Sequence, residues 1–213
     1  MNFYAKLAMV FALSYLLGSV NFAIIVSKFK LKDDIRKFGS GNAGGTNALR
    51  TMGLGSAMLV FAGDGLKAAV AMVVTKILFP AAEYTSIVSG GAILLFSGIF
   101  VILGHIYPVF FGFKGGKGVM TIAVIICVFN YIIGIIGVFV FVLCVIISRF
   151  VSLSSILAVI SVSVCFFIFY PGEYIVQTIG VVMALGIILS HRQNIKRIFN
   201  GTENKFNLGR GAK

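Results

Sequence analysis

The side chains able to do chemistry in this chain gather in a few short stretches, and the chemistry that suits them is the binding of an anion. The first stretch is GSGNAGGTNALR, residues 39–50. Its glycines let the backbone present consecutive N–H groups as an anion-binding nest. Ser40, Asn42, Thr46 and Asn47 add neutral donors, and Arg50 adds a rigid fork that matches phosphate. Gly39, Gly41 and Gly44 also spell G-x-G-x-x-G, but the match follows a charged loop with no βαβ unit around it, so a dinucleotide fold is rejected. The plainer reading is an interfacial loop with helix-capping residues; the glycines together with Arg50 favour anion binding.

The second stretch is GHIYPVFFGFKGGKG, residues 104–118. It has three residues rather than four between Gly112 and the Gly-Lys pair, and Gly118 stands where a P-loop needs Ser or Thr for magnesium, so a nucleotide-hydrolysing P-loop is rejected. Lys114 and Lys117, on a frame made by Gly115 and Gly116, still suit a phosphate, with lipid-headgroup contact as the rival. In RFVSLSS, 149–155, Ser152 and Ser155 share a helix face at i, i+3, although capping is the commoner use of such serines. In HRQNIKRIFNGTE, 191–203, His191 and Asn194 share a face in the same way, with Arg192, Lys196 and Arg197 around them; the rival is a basic amphipathic stub. Asp64 and Lys67, also i, i+3, lie inside an apolar run. Charges there are functional candidates by default, and a structural ion pair is the alternative.

Counting removes several classes. The two histidines, His105 and His191, lie on separate segments, so a zinc site lacks ligands. The carboxylates near the basic stretches are Asp33, Asp34 and Glu203, too few for a two-metal phosphoryl-transfer site. No metal and no cofactor is expected. Neither histidine has an Asp five residues on, and there is no G-x-S-x-G elbow. Cys127, Cys144 and Cys165 lie in apolar runs without a C-x-x-C and read as packing residues.

The elements that must position these groups belong in a bilayer. Of 213 residues, 59% are hydrophobic and 11% charged, and the mean hydropathy is +1.06. That is too little polar surface for a water-soluble domain. Eighteen Lys and Arg against six Asp and Glu leave a net charge of +12, which points to anionic lipid or anionic ligands. No soluble module is present to hold nucleic acid. Apolar spans are expected at 3–27, 54–80, 84–106, 151–170 and 174–190, with 119–148 folding into two spans that turn near Asn130. This division puts Lys28, Lys30, Lys32, Arg36, Lys37, Arg50, Lys114, Lys117, Arg149 and the basic tail to Arg210 and Lys213 on one side, with the turn at 80–83 on the other, as the positive-inside rule favours. The expectation is an all-α bundle of seven transmembrane helices forming one domain over 1–213. Its N-terminus lies outside and its C-terminus in the cytoplasm, and the fourth helix, at about 118–129, is the shortest. The chemistry-bearing stretches then share the cytoplasmic face.

Six stretches run in order along the chain: SYLLGSVNFAIIVSK (14–28), GSGNAGGTNALRTMG (39–53), GDGLKAA (63–69), GHIYPVFFGFKGGKGVMT (104–121), RFVSLSS (149–155) and NIKRIFNGTE (194–203). In these the chain resembles the bacterial acyl-phosphate:glycerol-3-phosphate acyltransferase family, PlsY. The resemblance implies transfer of a fatty acyl group from acyl phosphate to the sn-1 hydroxyl of glycerol 3-phosphate, giving 1-acylglycerol 3-phosphate and phosphate. It implies that Ser40 and Arg50 contact glycerol 3-phosphate or the phosphate, that Lys117 binds phosphate, and that His191 and Asn194 contact the polar substrate. One of Ser152 and Ser155 contributes, while Asp64, Lys67, His105 and Glu203 lie in family motifs. Ala43 and Gly45 stand where the family usually shows Pro and Ala, which implies a more mobile loop. The implied setting is the bacterial inner membrane, with membrane lipids as neighbours, a site facing the cytoplasm and a monomer favoured. A small-anion or lipid-linked transporter is the alternative; it calls for mid-depth charges on several helices, and only Asp64 and Lys67 qualify. A lipid-binding scaffold would tolerate changes in the glycine loops.

Overall fold

The computed structural model describes residues 2–80 and 90–206. The expected turn at 80–83 falls outside the described residues from position 81, and so do the start of the expected span 84–106, Arg210 and Lys213. The described residues form helices, short 3-10 turns and loops, with no strand among them. They divide into two compact units, one ending at Ile125 and the other beginning at Ile126.

The N-terminal unit opens with α1, Phe3–Ser19, and α2, Phe22–Lys30. The single helix expected over 3–27 is broken at Val20 and Asn21, both extended. Asn21 accounts for the break. It is fully buried, and a buried amide must find partners. At the break its Oδ1 accepts the Ile24 N–H at 3.0 Å and caps α2, while its Nδ2 donates to the Ala43 carbonyl at 3.3 Å. A 3-10 turn, Ile35–Lys37, follows, capped by Asp34.

The next helix, α3, covers Gly45–Leu78 and is sharply broken at Gly53 (φ 83°, ψ 177°). Glycine is required there by its dihedral angles, since a Cβ would meet nothing within 4 Å. Helix therefore begins well before the expected residue 54, and half of the first glycine-rich stretch is helical. The break also lays Gly45 against the ring of Phe61, in the space a Cβ would occupy. Ala43 is fully buried in a cluster with Ala23, Ile24, Ile35, Ala48, Ala57 and Val60. Ala43 and Gly45 are thus packing positions in a seated loop.

Helix α4, Gly90–Ile106, leads through a 3-10 turn, Val109–Phe111, to the loop 112–118 and to α5, Val119–Phe129. Helices α1 and α4 approach closely. A Cβ on Gly18 would collide with the Val101 carbonyl, and one on Gly104 with the Tyr15 carbonyl. Buried hydroxyls join three helices: Ser97 lies 2.8 Å from Ser14 of α1 and 2.7 Å from Thr75 of α3.

The C-terminal unit contains α6, Tyr131–Ser148; α7, Val151–Phe169; α8, Tyr174–Ser190; and α9, Arg192–Phe199. The turn expected near Asn130 is present. Asn130 caps α6 by accepting the N–H groups of Ile132 and Ile133, and it donates to the Tyr170 hydroxyl at 3.0 Å. Helix α6 packs on α7 and α7 on α8; α9 bends away from α8 by 59°.

By length and composition, five segments can cross a bilayer: Phe3–Lys30, Gly45–Leu78, Gly91–Phe111, Tyr131–Ser148 and Val151–Phe169. Tyr174–Ser190 with Arg192–Phe199 makes a sixth if the bent pair is one span, and Val119–Phe129 is shorter.

Gly104→Ala is expected to push α4 off the α1 backbone and lose about 1–3 kcal/mol, as overpacking generally does. A lower unfolding midpoint in detergent is the readout, and an unchanged midpoint would show that the contact yields.

Candidate active site

In the N-terminal unit, Asn47 shapes the first glycine loop. Its Oδ1 accepts the Ser40 N–H at 2.9 Å, and its Nδ2 donates to the carbonyls of Phe38 at 3.0 Å and Ile35 at 3.4 Å. Asn47 is buried and fully engaged, so this expected ligand donor acts instead as the loop's internal staple. Ser40 and Arg50 are exposed, while Asn42 and Thr46 are half-buried. Gly44 caps α3 without a side-chain hydrogen bond. Its carbonyl accepts the N–H groups of Asn47 at 3.1 Å and Ala48 at 3.0 Å, and the positive end of the helix dipole lies at this turn.

In the second loop the glycine frame expected to serve a phosphate has its N–H groups engaged within the protein. The Gly115 N–H donates to the Ile106 carbonyl at 2.9 Å and the Gly116 N–H to the His105 carbonyl at 3.1 Å. Neither is available to a phosphate. The two glycines instead permit close approach: a Cβ on Gly115 would collide with the His105 carbonyl, and one on Gly116 with the His105 ring and, at 2.5 Å, the Ala43 carbonyl. This places the second loop beside the first. The Ala43 carbonyl that faces Gly116 is the one that receives Asn21. Arg36 adds a further tie, donating to the carbonyls of Phe111 and Lys114 at 2.8 Å each. Lys114 is exposed and Lys117 half-buried.

Behind the loops lies a buried polar triad. Lys67 Nζ sits 2.9 Å from Asp64 Oδ1, 2.9 Å from His105 Nδ1 and 2.6 Å from the Val20 carbonyl, which the helix break exposes. The Asp64 contact is an ion pair without hydrogen-bond alignment. His105 Nδ1 lies 3.6 Å from the same carboxylate oxygen. All three side chains are at most 4% exposed. With Lys67 donating, Nδ1 is the acceptor of the neutral His105 ring. Asp64, Lys67 and His105 were candidates for substrate contact, with a structural ion pair as the alternative for the first two; the Lys67 ammonium meets Asp64, His105 and the Val20 carbonyl.

In the C-terminal unit the organiser is Glu203. Its Oε1 accepts from Ser152 Oγ at 2.7 Å and Asn194 Nδ2 at 2.6 Å, and its Oε2 accepts from Arg197 Nε at 2.8 Å. Burial alone would raise this carboxyl's pKa; hydrogen bonds from Asn194, Ser152 and Arg197 outweigh that and hold it below the usual glutamate range. Ser155 bonds back to the Val151 carbonyl at 2.8 Å. Of the two candidate serines, Ser152 is thus the one linked to Asn194. His191 is 2% exposed, and its Nδ1 donates to the Ile187 carbonyl at 2.9 Å. In the neutral ring this leaves the lone pair on Nε2.

A family model described as glycerol-3-phosphate acyltransferase matches residues 8–201. The chain belongs to the glycerol-3-phosphate acyltransferase family. It is 42% identical over 193 residues to glycerol-3-phosphate acyltransferase 2 of Bacillus anthracis, covering 91% of this chain and 95% of the relative. It is 35% identical to the glycerol-3-phosphate acyltransferase of Chlorobium luteolum, covering 95% and 97%. Two crystal structures of PlsY, an integral membrane glycerol 3-phosphate acyltransferase, share the fold at 34% identity. The glycerol 3-phosphate form has a TM-score of 0.85 over 94% of this chain and 96% of that one. The lysophosphatidic acid form has a TM-score of 0.81 over 94% and 95%. The chain is accordingly an all-helical integral membrane protein.

Among the residues expected at the site, the structure brings the loop of Ser40, Asn42, Thr46 and Arg50 beside the loop of Lys114 and Lys117 in one unit, and joins Ser152, Asn194 and Glu203 in the other, with His191 at the N-cap of α9, three residues before Asn194. The sequence reading missed Asn21 and Arg36, which hold the loops. Their signals were an amide inside an apolar run and an Asp-x-Arg turn, and both are visible in sequence only as polar residues of unknown partner.

Lys67→Met is expected to strand the Asp64 charge and lose about 3–5 kcal/mol of stability, most of it recovered when Asp64→Asn is added. Thermal unfolding of the single and double variants checks this, and a stable single variant refutes it. The depressed Glu203 pKa gives stability that is complete above the ordinary glutamate value of about 4.3 and lost as pH falls through the lower folded value. In Glu203→Gln the acid branch of the stability-versus-pH curve should flatten.

Proposed function

We propose that this chain transfers a fatty acyl group from acyl phosphate to the sn-1 hydroxyl of glycerol 3-phosphate, releasing 1-acylglycerol 3-phosphate and phosphate. The observation that carries the reading is the joining of the two basic glycine loops, with Ala43 against Gly116 and Arg36 bonded to Lys114. This gathers Ser40, Arg50, Lys114 and Lys117 on one scaffold, as a reaction between two phosphate-bearing substrates requires. Related proteins that are named for glycerol 3-phosphate and align over most of both chains, and crystal structures in glycerol 3-phosphate and lysophosphatidic acid forms, support it.

In this mechanism the acceptor hydroxyl oxygen attacks the acyl carbonyl carbon. The bond from that carbon to the phosphate oxygen then breaks, and phosphate departs with the electron pair. Phosphate is already a good leaving group, so the protein contributes chiefly orientation and charge stabilisation. Arg50, Lys117 and Lys114 neutralise phosphate; Ser40, Asn42 and Thr46 add neutral donors beside the first turn of α3. His191 and Asn194 contact the polar acceptor, and Ser152 is the serine of its pair that contributes, through the Glu203 network. The hydroxyl proton passes to a substrate phosphate oxygen or to His191 Nε2. The whole chain acts as one functional domain, a monomer of seven spans in the bacterial inner membrane, with α5 as the short fourth span. Its N-terminus is outside, and its C-terminus and loops are cytoplasmic, where the basic residues accumulate.

Purified protein given labelled glycerol 3-phosphate and a long-chain acyl phosphate, without metal or acyl-CoA, is expected to form lysophosphatidate; no product overturns the reading. Arg50→Ala and Lys117→Ala should each lower kcat/KM by about 100-fold or more with an unchanged unfolding midpoint. If His191 is the base, His191→Ala removes turnover together with the acid limb of the pH–rate profile. A substantial rate with an unaltered profile assigns the proton to the substrate phosphate.

A further inference from the structure

We infer that Arg36 is a positioning residue for acyl transfer, holding the loop that carries Lys117 through two backbone carbonyls. The inference rests on the phosphate-binding role proposed for that loop. Arg36 lies in the 3-10 turn Ile35–Lys37, and sequence alone marks it only as one positive charge among several. In the structure its guanidinium has two sides. One grips Asp34: Nε is 3.0 Å from both carboxylate oxygens and Nη2 is 2.6 Å from Oδ2. The other, Nη1, donates to the carbonyls of Phe111 and Lys114 at 2.8 Å each.

The Lys114 carbonyl and the Gly115 N–H belong to one peptide unit. Arg36 holds its oxygen and the Ile106 carbonyl receives its N–H at 2.9 Å. A peptide pinned at both ends cannot rotate. The next peptide is held as well, by the Gly116 N–H on the His105 carbonyl. The backbone just before Lys117 is therefore fixed in orientation, even though it is built largely of glycine, the residue with the most freedom to lose.

Asp34 aims the donor. It caps the turn by accepting the Arg36 N–H at 2.9 Å. The Arg36 side-chain hydrogen bond holds the Asp34 carboxyl below the ordinary aspartate range, against the effect of burial, so the pair stays ionised at neutral pH. Arginine is needed because only a planar fork can meet a carboxylate and two carbonyls at once; the compact ammonium of lysine cannot.

Removing this clamp has a small effect on folding and a larger one on binding. The Arg36 side chain is 27% exposed, and water can replace it at the two carbonyls. The loop then regains conformational freedom, which must be lost again whenever phosphate binds. The defect belongs in KM and in phosphate affinity.

The test compares Arg36→Ala, Arg36→Lys and Lys37→Ala with the unaltered chain. Lys37→Ala removes one positive charge from the same turn; Lys37 pairs with Asp33 at 2.7 Å. In Arg36→Ala, KM for acyl phosphate and the inhibition constant of inorganic phosphate should rise about tenfold while kcat changes less. Added guanidinium ion should partly reverse this and leave the unaltered chain unaffected. Lys37→Ala should leave both constants in place. Unchanged constants in Arg36→Ala, or an equal shift in Lys37→Ala, overturn the inference. Should Arg36→Ala fail to fold, Arg36→Lys decides: a rise of several-fold supports the clamp and unaltered constants reject it. An inactive unaltered chain would refute the proposed function itself, so the two failures are separable.

Discussion

A single ammonium group organises the N-terminal unit. Lys67 is buried among apolar helices, where an unpaired charge carries an insertion penalty of about 2.5–3.5 kcal/mol near the bilayer centre. Its partners are the carboxylate of Asp64 one turn away, the ring of His105 on α4, and the Val20 carbonyl freed where α1 gives way to α2. One buried charge thereby ties the break made at Asn21 to α3 and to α4. Because the His105 ring and carbonyl also back Gly116 and Gly115, that constraint is passed directly to the second glycine loop.

The loops themselves are held by backbone-directed side chains. Asn47, Asn21 and Arg36 each use side-chain donors on carbonyls of neighbouring loop residues. Long polar loops at a membrane surface would otherwise sample many conformations, and ordering them during substrate binding would weaken binding. With these staples in place, the exposed Ser40 and Arg50 project from a seated frame whose underside is the buried cluster around Ala43. In the C-terminal unit Glu203 does the equivalent work, gathering Ser152, Asn194 and Arg197 on one carboxylate.

Several features were legible in sequence because they are local. Asn130 reads as a turn, since an amide in a long apolar run must cap something, and it does cap α6. Ser152 and Ser155 share a helix face as i, i+3 spacing requires, yet which one reaches another segment depends on where Glu203 arrives. Gly115 and Gly116 illustrate the limit. A glycine pair between lysines matches an anion nest and a close-packing contact equally well. The nearness of His105 and Ala43 decides for packing, and neither neighbour can be inferred from spacing. Asn47 likewise changed from ligand donor to staple once its carbonyl partners were known.

Composition by itself determined that the chain lies in a membrane, because 11% charged residues cannot cover a protein in water. The ordered motifs by themselves determined the family. Only the tertiary structure decided which polar residues are available to a substrate and which are taken up inside the protein. A donor in an apolar setting bonds to the nearest acceptor, and that acceptor is usually distant in sequence: 78 positions for Arg36 and Lys114, 51 for Ser152 and Glu203.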